Sequence, residues 1–305
     1  MLKIASYNLR NLFDEGARMS YGKEVSFPKV FIDGVVSELA GVIANINPDI
    51  LVAQEVGSET SFNRIAEKVS SEYKTFASPP DARGIGNAAM TKVSAVMSST
   101  TDVGGFPVFV EGSEDTIGAN VVSSRQFLTI ETTYNERPLY IYAVHLKAIT
   151  GYPMRKTKGG ERISPKNQHE ESDGIIRSSV LRLIQARRLR ELVDMHFKSD
   201  QNAQIIVLGD FNAQLRSDVL NTITASEHFP ETQLINLCES APTEKRFSFI
   251  YQGEKSLFDH MLISKNLSTK VVSFEIQNDN LKDQSAQPEI DYYSSDHAPI
   301  VLTLL

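Results

Sequence analysis

Eight polar residues stand at the ends of apolar runs along this chain: Asn8, Glu55, His145, Asp210, Asn212, Asp259, Asp296 and His297. Their types suggest chemistry. Glu55, Asn8 and Asp296 offer the hard oxygen donors that suit Mg²⁺ or Mn²⁺, without the Cys or His clusters that zinc prefers. The two histidines, flanked by carboxylates, suit general acid–base work, a contribution of ~10²–10⁴-fold. Each residue taken singly has a plainer reading: Asn8 as a turn cap, Glu55 as a solvated strand end, Asp210 as an Asx-turn residue. Their recurrence at one strand end after another is what a site built along a sheet edge requires.

The elements that must carry these residues are legible as short apolar runs. "LKIASYNL" alternates and ends at Asn8, and "DILVAQEV" is a buried strand with Glu55 near its exit. Between them "DGVVSELAGVIANIN" places Val35, Leu39, Val42 and Ile46 on one helical face, stopped by Pro48, and a second helix is expected over residues 59–73. "SRQFLTIETTY" and "PLYIYAVHL" read as a hairpin across "NERP", with His145 at the exit. A polar insertion at about 149–176 follows, too long for an ordinary connection. "RSSVLRLIQARRLRELVDMHF" is a helix with Leu181, Ile184, Leu192 and Met195 on its expected buried stripe. "IIVLG" then delivers Asp210 and Asn212, "FDHMLIS" carries Asp259, and "SSDHAPIVLTLL" closes the chain.

At 305 residues, 41% of them apolar and 23% charged, the chain has the mix of a globular protein with a large core. A net charge of -7 and a pI near 5.5 argue against a general basic surface for long nucleic acid, though not against a local patch. Arg155, Lys156, Lys158, Arg162 and Lys166 supply such a patch just after His145. The single Cys238 lies among apolar neighbours and reads as core. No signal-peptide pattern and no membrane-length apolar stretch occurs, so the expectation is a soluble, cytoplasmic monomer. His169, His196 and His228 read as surface or helix-edge residues, and "GIGNAA" at Gly84 lacks the preceding strand of a dinucleotide fingerprint.

Together "SYNLRNLFD", "AQEV", "AVHLKA", "LGDFNA", "FDHMLI" and "SSDHAPI" resemble, in order, the motifs of the endonuclease/exonuclease/phosphatase superfamily, the deoxyribonuclease-I-like fold. The resemblance spans residues 6 to 300. It implies a single domain over 1–305, an α/β four-layer sandwich of two packed, mostly antiparallel β-sheets flanked by helices. It also implies roles: Glu55 as principal metal ligand with Asn8 and Asp296, and Asp210 orienting or deprotonating the attacking water. Asn212 would hold a phosphate oxygen, His297 would stabilise transition-state charge, Asp259 would orient His297, and His145 would face the leaving group or a phosphate oxygen. The stretch around Gly84 precedes a sheet strand in the family and can border the site. Arg125 is a candidate for substrate phosphate, against a surface salt bridge.

Three substrate classes follow. A Mg²⁺-dependent nuclease acting on DNA is the first expectation, with the basic arm along the backbone. A phosphatase or phospholipase C-like enzyme acting on a small phosphoester or lipid head group is the second. "LFDHML" stands where inositol-phosphate members carry C-D-R, which argues against polyphosphoinositides, and the absence of Trp argues against abasic-site repair. A non-catalytic binding module is the third, and the complete set of charged positions speaks against it.

Overall fold

The computed structural model describes residues 1–305 apart from 15–17, 21–22, 26, 82, 101–124, 150–154, 157–161, 164, 226 and 287–292. Twelve strands make two six-stranded sheets. They are β1 (Leu2–Leu12), β2 (Ile50–Val56), β3 (Lys74–Ala77), β4 (Gly86–Thr91), β5 (Ala95–Ser99), β6 (Leu128–Tyr134), β7 (Arg137–His145), β8 (Gln204–Asp210), β9 (Leu234–Asn236), β10 (Asp259–Ser264), β11 (Val271–Ile276) and β12 (Ile300–Leu304). The first sheet has the order β11-β12-β1-β2-β4-β3 and the second β9-β10-β8-β7-β6-β5. In each, one central pair is parallel, β1 with β2 and β7 with β8, and every other pair is antiparallel.

The sheets pack face to face, and helices cover their outer faces. Ile4, Ile50, Val52, Ile206, Leu208, Ile263 and Ile300 fill the space between sheets. Ala5, Tyr7, Leu51 and Ala53 face the helices α1 (Lys29–Ile46) and α2 (Glu59–Val69), whose Val36, Leu39, Ile43, Phe62 and Ile65 meet them. Ile205 and Val207 face α3 (Gln168–Ser199) and α4 (Asp218–Thr224). Alternate residues of β1, β2 and β8 thus enter two different cores, which is why these strands read as unbroken apolar runs. The expected four-layer α/β sandwich is the observed one.

Local sequence sets the connections. Asn135 and Glu136, with φ of 49° and 62°, form a two-residue reversal between β6 and β7, the mirror-image turn that matches strand twist. Ser58 caps α2 by accepting from the Ser61 N–H, and Asn167 caps α3 by accepting from that of Glu170. That second cap corrects the expected insertion. The helix starts at Gln168, so residues 168–176 are helical rather than loop, their apolar side chains Ile175 and Ile176 being exposed. The stripe on α3 also differs. Leu189, Val193 and Phe197 are buried, whereas Met195 is 60% exposed. Among the described residues no helix is long and apolar enough to cross a membrane.

Candidate active site

Strand register gathers the polar residues. Asp210 is the last residue of β8 and is paired with His145 on one side and Asp259 on the other, so three functional groups share one rung. Gly209 permits this closeness: with φ of 138°, any Cβ there would lie 2.0 Å from the Val144 carbonyl oxygen. Across the sandwich, the β1–β2 pairing slips after Asn8, and Arg10, Asn11 and Glu55 take positive φ of 49°, 52° and 60°. Such bulges re-aim side chains at strand ends. The C-terminal segment is fastened here too, because the Ser295 hydroxyl donates to the Asn8 carbonyl (2.6 Å) and accepts from the His297 N–H (3.0 Å).

The groups interlock. Asn8 Nδ2 donates to Asp210 Oδ2 at 3.1 Å, and His145 Nε2 lies 3.5 Å from the same oxygen and 3.7 Å from Glu55 Oε1. Glu55 Oε2 accepts from the Asn11 N–H at 3.0 Å. Asp210 Oδ1 accepts from the Asn212 N–H at 2.8 Å, and the Asn212 amide donates to the Leu146 carbonyl at 3.2 Å, leaving a second amide N–H. Asp259 Oδ2 meets His297 Nδ1 at 2.7 Å. Asp296 is buried, with Arg10 Nε 3.8 Å from its Oδ2. All eight expected residues therefore lie at one edge of the paired sheets.

Burial and charge divide these groups by protonation. Burial raises Asp210 to about 7, with the Asp259 and Glu55 carboxylates adding to the rise against His297 and the Asn212 N–H. Burial, reinforced by Arg125 and Arg83, holds His145 well below its ordinary value. His297 stands well above its own, since Asp259, Asp210 and Asp296 outweigh its burial. A carboxylate poised near neutrality beside one imidazole held neutral and one held charged is a set of groups able to accept and to donate a proton.

The donor set fits a hard divalent cation. Glu55, Asp296 and the Asn8 amide oxygen are oxygen donors. Among the described residues no group of three or more His, Cys, Asp or Glu side chains is gathered as a metal cage. Mg²⁺ is ordinarily held by one or two carboxylates with water and substrate phosphate, so the sparse set suits it.

Arg125 is not at the surface as a salt-bridge reading supposed. Its Nη1 donates to the His145 and Leu146 carbonyls, its Nε is 3.3 Å from Asp81 Oδ2, and its side chain is 10% exposed. Lys166 is exposed, and the backbones of Arg155–Lys156 and Arg162–Ile163 pair, but Lys158 and the side chains of Arg155, Lys156 and Arg162 lie outside the described residues. Cys238 is buried core, its thiol pushed up to about 12 by burial. His196 sits at a helix edge, stacked on Tyr140 and bonded to the Tyr142 hydroxyl at 2.7 Å. Sequence reading missed Ser295, Arg10 and His260. Ser295 had a signal, a hydroxyl two residues before His297, whereas nothing in the spacing marked His260, which bonds the Ala213 carbonyl and the Asn236 amide.

A family model described as endonuclease/exonuclease/phosphatase matches residues 166–284. The solved structure of truncated TDP2 from Caenorhabditis elegans superposes with a TM-score of 0.59 at 16% identity, covering 99% of this chain and 96% of that one. Over residues 166–284 the chain is similar to the endonuclease/exonuclease/phosphatase family, and the likeness to solved structures over its whole length shows the shared fold. A mannosyl-6-phosphatase from Bacteroides thetaiotaomicron gives a TM-score of 0.57 at 15% identity with all of both chains covered. TDP2 of D. rerio, complexed with single strand DNA product, gives 0.55 at 15% identity, covering 99% of this chain and 97% of that one. No curated protein matches the chain in sequence.

Proposed function

We propose that the chain is a Mg²⁺-dependent hydrolase that cleaves a phosphodiester by in-line attack of water, acting as a nuclease on DNA. The observation that carries this reading is the rung His145–Asp210–Asp259, with His297 held on Asp259 and Glu55 beside His145. Asp210 takes the proton of the attacking water, for which a value near 7 is well matched. His297, positively charged, donates to the phosphate oxygen on which charge develops, and Asp259 fixes its tautomer. The second amide N–H of Asn212 binds a non-bridging oxygen, and neutral His145 faces the leaving group. Glu55, Asp296 and Asn8 would hold the ion, which supplies neutralisation of the phosphate charge. Mn²⁺ fits the same donors. DNA in the complex of the D. rerio relative supports the nucleic-acid reading.

A phosphatase or phospholipase C-like activity on a small phosphoester or lipid head group is the second reading. It is favoured by the structural likeness to the mannosyl-6-phosphatase. Nicking of supercoiled plasmid in Mg²⁺, with EDTA and His297→Ala as controls, separates the two. Nicking lost in both controls is the expected result. Its absence in a folded, metal-loaded protein, with turnover of a small phosphomonoester, would overturn the nuclease reading in favour of the second.

A further inference from the structure

Asn212 sits in left-handed backbone, with φ of 47°. A residue with a side chain adopts that region at a cost, and holds it where the surroundings over-determine the turn. Here the turn is pinned to β10 and to the residues that lead into it. The Phe211 N–H donates to the Phe258 carbonyl at 2.8 Å, and Gln214 Oε1 accepts from the Leu257 N–H at 3.1 Å. Between these two bonds the Ala213 carbonyl meets His260 Nε2 at 2.7 Å. This third pin comes from a side chain of β10, and it grips the residue next to Asn212.

The direction of the His260 bond follows from its other nitrogen. Asn236 Oδ1 accepts from the Cys238 N–H at 3.1 Å, so the Asn236 amide turns its Nδ2 toward His260 Nδ1, 3.2 Å away. Nδ1 therefore accepts, which leaves the proton on Nε2 and makes the ring a donor to the Ala213 carbonyl. Burial, which pushes His260 down to about 4, keeps this neutral form at neutral pH. The Phe211 ring meets the imidazole edge to face, with centroids 5.4 Å apart. Asn236, His260 and Ala213 are all buried, so the relay is shielded from competing water.

Consecutive residues of β10 thus serve two groups of the site. Alternation along the strand sends Asp259, with Met261 and Ile263, toward the space between the sheets, and His260, with Leu262, toward the helical face. Asp259 meets His297, and His260 reaches the turn that carries Asn212. We propose that His260 is a positioning residue for the phosphate contact: its Nε2–H bond to the Ala213 carbonyl sets the turn so that the second amide N–H of Asn212 faces the reacting phosphate. The proposal rests on the phosphoester reading and names the group that aims Asn212 within it.

A histidine that merely fills space would act through volume, so the test must isolate the hydrogen bond. It is a double-mutant cycle in the full chain, read as kcat/KM on supercoiled plasmid in Mg²⁺, or on p-nitrophenyl phosphate if the wild type does not nick, with circular dichroism as the check on folding. Asn212→Ala is expected to lower kcat/KM by about a hundredfold, and His260→Leu by about tenfold. In the Asn212→Ala background, His260→Leu should cost nothing further. His260→Gln, whose amide can still donate to the Ala213 carbonyl, should keep most of the activity. If His260→Leu does not fold, His260→Asn, polar but too short to reach Ala213, takes its place in the cycle. Equal losses in both backgrounds, wild-type turnover in His260→Leu, or a loss in His260→Gln as large as in His260→Leu would overturn the positioning role and leave the site standing. Full activity in Asn212→Ala, or turnover of neither substrate by the wild type, would overturn the reading of the site as well.

Discussion

At the centre of one sheet, β1 and β2 run parallel and lose register where they reach the site, with Arg10, Asn11 and Glu55 in left-handed backbone. At the centre of the other, β7 and β8 keep register to their last residues, and Asp210 meets His145 and Asp259 squarely. The first pair supplies the proposed cation ligands and the second the proposed proton-handling groups. A cation tolerates several ligand placements because water completes its shell, whereas proton transfer needs fixed atoms at hydrogen-bond distance. The contrast suggests that a bulge serves coordination and a strict ladder serves acid–base chemistry.

Removing the proposed base from the ladder side should have the largest effect. Asp210→Asn should lower kcat by ~10²–10⁴-fold with the fold intact, measured by steady-state turnover and circular dichroism. A loss below tenfold would take the base role from the ladder. Gly209→Ala should cost about 4 kcal/mol or more in urea unfolding, because its Cβ collides with the Val144 backbone. A mild effect there would mean that the ladder yields as readily as the bulge.

The ladder side should also govern acid stability. His260, next in β10 after Asp259, is pushed down to about 4, chiefly by burial. Above pH 6.5 its contribution is complete. As the pH falls from 6.5 toward 4 the unfolded chain takes up a proton that the fold refuses, a loss of roughly 3 kcal/mol. Unfolding measured across that window should flatten in His260→Gln, and an unchanged slope would assign the acid lability elsewhere.

On the bulge side, Glu55→Gln should raise the Mg²⁺ concentration for half-activity by at least the ~10–100-fold that even an outer-shell change brings. Identical metal titrations would remove Glu55 from the ligand set. The smallest effect should come from Asn11→Gly. Its left-handed φ already suits glycine, so stability should change by less than about 1 kcal/mol in either direction.

The strands and their terminal polar residues were legible because strands buried on both faces write themselves as apolar runs, and the break to Asn8, Glu55, His145 or Asp210 is then conspicuous. The start of α3 was not, since Ile175 and Ile176 are exposed and the cap lies in a polar stretch. Met195 misled because its hydrophobic type outran its position on the helix. Arg125 and His260 were visible only as residue types. Whether a guanidinium grips carbonyls or an imidazole pins a turn depends on partners distant in sequence, such as Ala213 for His260.

The pairing of the first strand with the last has a consequence for biosynthesis. Leu2 to Ser6 hydrogen-bond to Leu304 to Ile300, and Ser295 fastens Asn8 from 287 residues away. During translation β1 is made long before its antiparallel partner and waits with one edge unpaired until the segment around residues 300–304 has left the ribosome. Over that interval the nascent chain carries a buried-type strand with an open edge, a template for misassociation. Chains halted before residue 295 should thus lack both the Ser295 fastening and the strand that closes the edge of β1, and be prone to aggregate.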